Sequence, residues 1–176
     1  MNPNIAILTT VISFELYNKT SSLFPEEIRT YVIDGTNGMH GINSIKFMMK
    51  KLKNSGIKWL ILVDEDVIFI KPNLIFSIIE EMEEKNITVC GVRDGGEIAN
   101  RKQNPYVINT FFSIINFGEI QNIYDEKEVL KNQYILENEF DDDIESLQFD
   151  FNKMVLYEPY YCFFLWLRRK GKKFFF

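Results

Sequence analysis

The sequence predicts an α/β domain: a mainly parallel sheet flanked by helices on both faces, followed by a less regular C-terminal part. Three observations carry this. Short apolar, β-branched runs recur at 4–12, 29–33, 59–63 and 88–92, each suited to a strand buried on both faces. Amphipathic segments with helical spacing lie between the later runs. Strand–helix–strand repetition at this spacing favours parallel strands joined by helical crossovers. At 176 residues the chain holds about one domain's worth of sequence, so a single domain spanning 1–176 is the simplest division.

Each element has its own reason. Asn4 to Ile12 (NIAILTTVI) is the first strand, and Arg29 to Ile33 (RTYVI) the second, ending at the polar loop Asp34-Gly35-Thr36-Asn37-Gly38. Ile45, Met48, Met49 and Leu52 then fall at i, i+3, i+4 and i+7, which predicts a helix capped by Asn43 or Ser44 and ended by Gly56. Trp59 to Val63 (WLILV) is the third strand. Lys71-Pro72-Asn73 opens a second helix that buries Leu74, Ile75, Ile78, Ile79 and Met82 and exposes most of Glu80, Glu81, Glu83 and Glu84. Thr88 to Val92 is the fourth strand and Phe111 to Phe117 another. The segment 124–150 is acidic, with ten Asp/Glu against two Lys, and the last 26 residues are basic. Pro159 suits the first position of a helical run from Cys162 to Leu167, with Glu158 just before it.

Composition narrows the function classes. With 46% apolar and 26% charged residues the chain is neither disordered nor a coiled coil. A net charge of -5 leaves no global basic field for nucleic acid phosphates. Cys90 and Cys162 sit in apolar runs and read as buried free thiols of a reducing compartment. Met1-Asn2-Pro3-Asn4 lacks the basic start of a secretory leader, and no apolar run approaches the ~20 residues of a membrane span. A cytoplasmic protein is expected. The basic groups Arg168, Arg169, Lys170, Lys172 and Lys173 among Phe163 to Leu167 and Phe174 to Phe176 add an expectation of peripheral contact with a membrane's inner face. An ordinary core helix with a solvated basic end is the competing reading.

The chemistry is concentrated at Asp64-Glu65-Asp66, directly after the third strand. Ligands on open parallel sheets bind beyond the carboxyl ends of the strands. If the strand's pleat continues, Asp64 and Asp66 point the same way and can share a divalent cation. Crowding carboxylates costs Coulomb energy that such a cation removes, and the cation can also hold a diphosphate.

At WLILVDEDVIF the sequence resembles the GT-A-type nucleotide-sugar glycosyltransferases, whose metal motif is an acid–any–acid triplet after an apolar strand. The resemblance covers 4–117 well and 157–176 loosely. It implies a GT-A-like fold, with a nucleotide-sugar-binding half at 1–117 and an acceptor-side half at 118–176. It also implies a metal-dependent, hexosyltransferase-type enzyme using Mn²⁺ or Mg²⁺ and a nucleotide-diphosphate sugar, most simply UDP-linked, with a glycan or lipid-linked glycan as hydroxyl acceptor. By resemblance, Asp64 and Asp66 hold the metal, and Glu65 points toward the ribose or sugar. Thr9 and Thr10 meet the nucleoside, Asp34 the uracil or ribose. Asp94, in the Arg93-Asp94-Gly95-Gly96 loop, belongs to the donor site, where the glycines form either a mobile loop or a turn. Glu158 is the base that takes the acceptor proton, with Asp141, Asp142 and Asp143 as alternatives that an exposed acidic loop already explains. The chain departs from the family in lacking a late His or Asp ligand. Its one histidine, His40, lies in the loop from Gly38 to Gly41. The chain stops at Phe174-Phe175-Phe176, which reads as the start of a strand, as in a fragment or a naturally short chain. Two other readings are a nucleotide-sugar-binding domain with weak turnover and a haloacid-dehalogenase-type phosphatase.

Overall fold

The computed structural model describes residues 3–176. The reading of Met1 and Asn2 as part of a non-basic opening lies outside the described residues. The strands are β1 (Ile5–Val11), β2 (Arg29–Asp34), β3 (Trp59–Asp64), β4 (Val89–Arg93), β5 (Ile108–Asn116) and β6 (Phe174–Phe175). They form one sheet in the order β2-β1-β3-β5-β4-β6. β1 runs parallel to β2 and β3, and β6 parallel to β4, while β5 is antiparallel to both β3 and β4. The sheet is therefore mostly parallel with one reversed strand. The reversal has a local cause: no crossover helix lies between β4 and β5, so the chain returns directly.

The helices are α1 (Phe14–Thr20), α2 (Ile42–Lys51), α3 (Leu74–Glu84), α4 (Phe117–Ile123), α5 (Glu126–Leu130) and α6 (Tyr161–Arg169). They cover both faces. On one face Ala6, Leu8, Leu60 and Leu62 pack with α2, α4 and α6. On the other, Ile5, Ile7, Trp59, Ile61 and Val63 pack with α3 and Phe24. Every residue of α6 from Tyr161 to Leu167 is buried. At about 1.5–3 kcal/mol for a fully buried large apolar side chain, this helix anchors the C-terminal part.

Four local expectations are corrected. Gly41, not Asn43 or Ser44, occupies the N-cap of α2. Asn43 instead bonds the Gly38 carbonyl and Ser44 the Gly41 carbonyl, bracing the loop from inside the first turn. That helix ends at Lys51, with Leu52 as its C-cap, well before Gly56. Phe117 is the first residue of α4, because the Asn116 side chain accepts the Glu119 N–H and stops β5. Tyr160 is the N-cap of α6, which leaves Pro159 and Glu158 in the turn before it.

The basic C-terminal run is not a free patch. Phe163, Phe164 and Trp166 belong to the buried core of α6, and four of the run's five cations are paired: Arg168 with Asp142, Arg169 with Glu139, Lys170 with Glu128 and Lys172 with Glu119. Asp142 is likewise not part of an exposed acidic loop, since its side chain is 16% accessible and bridges Arg93 and Arg168. Among the described residues, no helix is long and apolar enough to cross a membrane.

Candidate active site

The carboxyl ends of β1 and β3 and the start of α2 enclose a cavity of about 180 Å³. Its floor is apolar, from Leu8, Ile45, Met48 and Leu62. Its rim is polar, from Thr10, His40, Ser44, Asp64, Glu65, Thr110 and Tyr160. The sheet register explains the grouping: Thr10 pairs directly with Asp64 across β1 and β3.

β3 ends at Asp64, so the strand's pleat does not carry through to Asp66 as expected. The chain turns instead, with the Val67 N–H donated to the Asp64 carbonyl at 3.3 Å. Asp66 is exposed on that turn. Burial first, then the carboxylates of Asp66 and Glu65, push Asp64 up to about 6, with Glu158 adding to the rise and Arg101 opposing it. These charges therefore act on one point at the strand's end.

Glu65 lines the cavity and also turns its carboxylate back to accept the Ile12 and Ser13 amides, at 3.3 and 3.1 Å. It thereby ties the β1 loop to the β3 loop. The Thr20 hydroxyl, donating to the Glu65 carbonyl, adds a second tie from α1. Strand alternation separates the two threonines. Thr10 reaches the cavity, while Thr9 is fully buried and its hydroxyl has no hydrogen-bond partner. Asp34 sits exposed at the end of β2 and takes the Thr36 hydroxyl at 2.6 Å and the Thr36 amide at 3.0 Å. Those two bonds, the hydroxyl first, hold its carboxyl below the ordinary range.

Asp94 is wholly buried, and its oxygens are taken by protein donors: Asn109 Nδ2 at 2.7 Å, Arg101 Nε and the Tyr161 hydroxyl. Burial, then the bond to Asp94, pushes the Tyr161 hydroxyl far above its usual value. The glycines after it form a packed turn and not an open loop. A Cβ on Gly95 would lie 2.0 Å from the Gln103 carbonyl oxygen, and one on Gly96, at φ +89°, would meet Leu147 at 2.6 Å. Arg101 continues from Asp94 to Glu158, whose carboxylate lies 3.3 Å from a terminal guanidinium nitrogen. The structure thus brings Thr10, Asp64 and Glu65 to the cavity, with the charges of Asp66 and Glu158 acting on Asp64 and Asp94 joined to Glu158 through Arg101. Thr9 and Asp34 stand apart from the cavity lining.

Arg101, Tyr160, Asn109 and Thr110 escape a sequence reading, because each acts through partners distant in the chain. His40 does line the cavity.

The crowding at Asp64 has a measurable consequence. A carboxyl whose folded value lies above its unfolded value weakens the fold as pH rises. The cost is absent below about pH 4 and complete above about pH 6. The gap from 3.8 to about 6 converts to at most about 3 kcal/mol. Asp64→Asn should therefore melt higher than the parent at pH 7.5 in EDTA and lose that advantage at pH 4. Equal melting at both pH values would contradict this.

No protein-family model matches the chain, and no curated protein does. Solved structures do. A glycosyltransferase involved in glycosylation of the major capsid of PBCV-1 is 22% identical over 69% of this chain, with a TM-score of 0.48. This chain spans 64% of that protein's length. The protein A197 from STIV is 15% identical over 71% of this chain and 70% of its own, with a TM-score of 0.51. The mannosyltransferase PcManGT from Pyrobaculum calidifontis, in complex with GDP-Man and Mn²⁺, is 6% identical over 70% of this chain and 47% of its own, at 0.42. Of these three, the STIV protein passes a TM-score of 0.5, and at its identity it shows a shared fold without speaking to activity. The expected α/β fold, a mostly parallel sheet flanked by helices, is met.

Proposed function

We propose that the chain is a glycosyltransferase that moves a sugar from a nucleotide-diphosphate donor, most simply UDP-linked, to a hydroxyl acceptor such as a glycan or lipid-linked glycan. The observation that carries this is Asp64, which lines a cavity at the carboxyl ends of parallel strands and feels the charges of Asp66 and Glu158.

The residues fit a divalent cation of one kind. Asp64 and Asp66 offer hard oxygen donors that suit Mn²⁺ or Mg²⁺, and their mutual repulsion falls when a cation binds. Among the described residues, no three His, Cys, Asp or Glu side chains gather as a cage. The donor set therefore suits an ion shared with a bound diphosphate and not a structural ion. When bound, such an ion would supply neutralisation of the leaving diphosphate.

This chain's own residues do the rest. The cavity's apolar floor and Thr10 receive the donor, with Glu65 holding the two loops around it. Glu158 accepts the acceptor's hydroxyl proton as that oxygen bonds to the anomeric carbon. The bond from that carbon to the diphosphate breaks, and its electrons leave with the diphosphate.

Calorimetry with UDP in the presence and absence of Mn²⁺ tests the reading. The parent should bind UDP more tightly with the metal, and the Asp64→Asn, Asp66→Asn double variant should lose that gain while keeping its fold by circular dichroism. Equal metal-dependent binding in both proteins would remove the assignment of these two residues.

A further inference from the structure

Arg101 stands out among the charges around Asp64. Asp64, Glu65, Asp66 and Glu158 are acids, and Arg101 is the cation that acts on Asp64 against them. Its guanidinium is held from below. Arg101 Nε is fixed on Asp94, whose side chain is 0% accessible and is itself held by Asn109 and Tyr161. Burial works against the charged guanidinium, but the bond to Asp94 raises its affinity for the proton, so the charge is secure. Three parts of the chain thus build a seat for one partly exposed cation: the 94–107 connection, β5 and α6.

The outward end is held differently. The terminal nitrogen sits 3.3 Å from Glu158, longer than the roughly 2.7–2.9 Å of a strong charge-assisted bond. Asp94 fixes one edge of a planar fork while the other edge holds Glu158 loosely. A guanidinium fork matches phosphate oxygens two at a time. A diphosphate reaching Asp64 and Asp66 would carry more charge than Glu158 and would compete for that edge.

We infer that Arg101 is an exchange residue: it holds Glu158 in the free protein and passes its outer nitrogens to the donor's diphosphate on binding, which frees the Glu158 carboxylate for the acceptor hydroxyl. This rests on the function proposed above and adds to it a positioning residue, with Asp94, Asn109 and Tyr161 as its seat. Donor binding and base release are then one event, so Glu158 meets the acceptor unencumbered after the donor is in place.

The test is UDP affinity by calorimetry, in Mn²⁺ and in EDTA, for the parent, Arg101→Gln, Arg101→Lys, Glu158→Gln and the Arg101→Gln, Glu158→Gln pair. Arg101→Gln should weaken UDP binding about tenfold to a hundredfold, the range for losing hydrogen bonds to a charged group. Arg101→Lys, which keeps the charge without the fork, should fall between. Glu158→Gln should tighten UDP binding, because the competitor for Arg101 is gone, and this gain should vanish in the paired variant. A merely structural Arg101 predicts no tightening from Glu158→Gln. Because Arg101→Gln deprives buried Asp94 of a donor, the Glu158→Gln arm, which leaves that seat intact, keeps the inference falsifiable if the first variant folds poorly. Parent binding with unchanged affinity in Glu158→Gln and Arg101→Lys overturns the exchange alone. If the parent binds neither UDP nor any of a panel of nucleoside diphosphates, the functional reading falls and the exchange with it.

Discussion

Glu158→Gln should slow sugar transfer by about 10²–10⁴-fold, the usual cost of removing a general base, without weakening donor binding. Glu158 lies in the turn before α6. The Tyr161 N–H is donated to the Glu158 carbonyl at 3.1 Å, and the Glu158 carboxylate meets Arg101 at 3.3 Å. Sequence spacing proposed a second role for Glu158, as the residue that starts the helix. The structure separates the two roles, because Tyr160 is the N-cap and no side chain caps α6. Melting curves therefore discriminate less than kinetics here. Loss of an N-cap would cost about 1 kcal/mol, whereas loss of a base leaves stability nearly unchanged. Rates measured at saturating donor with Mn²⁺ decide the matter. A Gln variant that transfers at the parent rate would move the base elsewhere.

The sheet was legible because its signal is local. Trp59 to Val63 is buried along its whole length, as a strand sandwiched between helices must be, and an acid after such a run marks the ligand edge of a parallel sheet. The same local logic gave α2 and α3 through their buried stripes, although Leu74, expected on the buried side, is 53% exposed at the first turn of α3. It missed α1, whose residues from Phe14 to Lys19 are mostly exposed, so no apolar periodicity marks it. The one strong local clue there is Ser13, whose side chain accepts the Leu16 N–H as an N-cap. The site was half legible for a related reason. Asp64, Glu65 and Asp66 are contiguous, but Arg101 and Glu158 meet across 57 positions and share no pattern that periodicity could detect.

Opposite charge runs are the clearest case of information that only the fold releases. The acidic 124–150 segment and the basic C-terminal run look like two separate surfaces in the sequence. Folded, they meet: three of the five cations that prompted the expectation of membrane contact pair with Asp142, Glu139 and Glu128. Asp142 is the centre of this contact. It lies 3.1 Å from Arg93, whose guanidinium also covers the Phe176 ring at 3.6 Å, and it receives Arg168, which covers Phe140 at 4.5 Å. Arg93 and Arg168 are 9% and 10% accessible, so removing Asp142 leaves Arg93 to Glu97 at 3.7 Å and the Pro105 carbonyl, and Arg168 to the Tyr106 carbonyl.

Breaking a buried pair from one side costs about 3–5 kcal/mol. Asp142→Ala should therefore lower the melting temperature by roughly 6–20 °C, at about 2–4 °C per kcal/mol for a chain of this size. Asp141 and Asp143 flank it but are exposed, so their alanine variants should stay within about 0.5 kcal/mol of the parent. Thermal melts of the three variants at one ionic strength make the comparison. Equal, small losses at all three positions would mean that the acidic segment is a solvated loop after all. A large loss at Asp142 alone would show that the C-terminal run is cemented to the domain by this carboxylate.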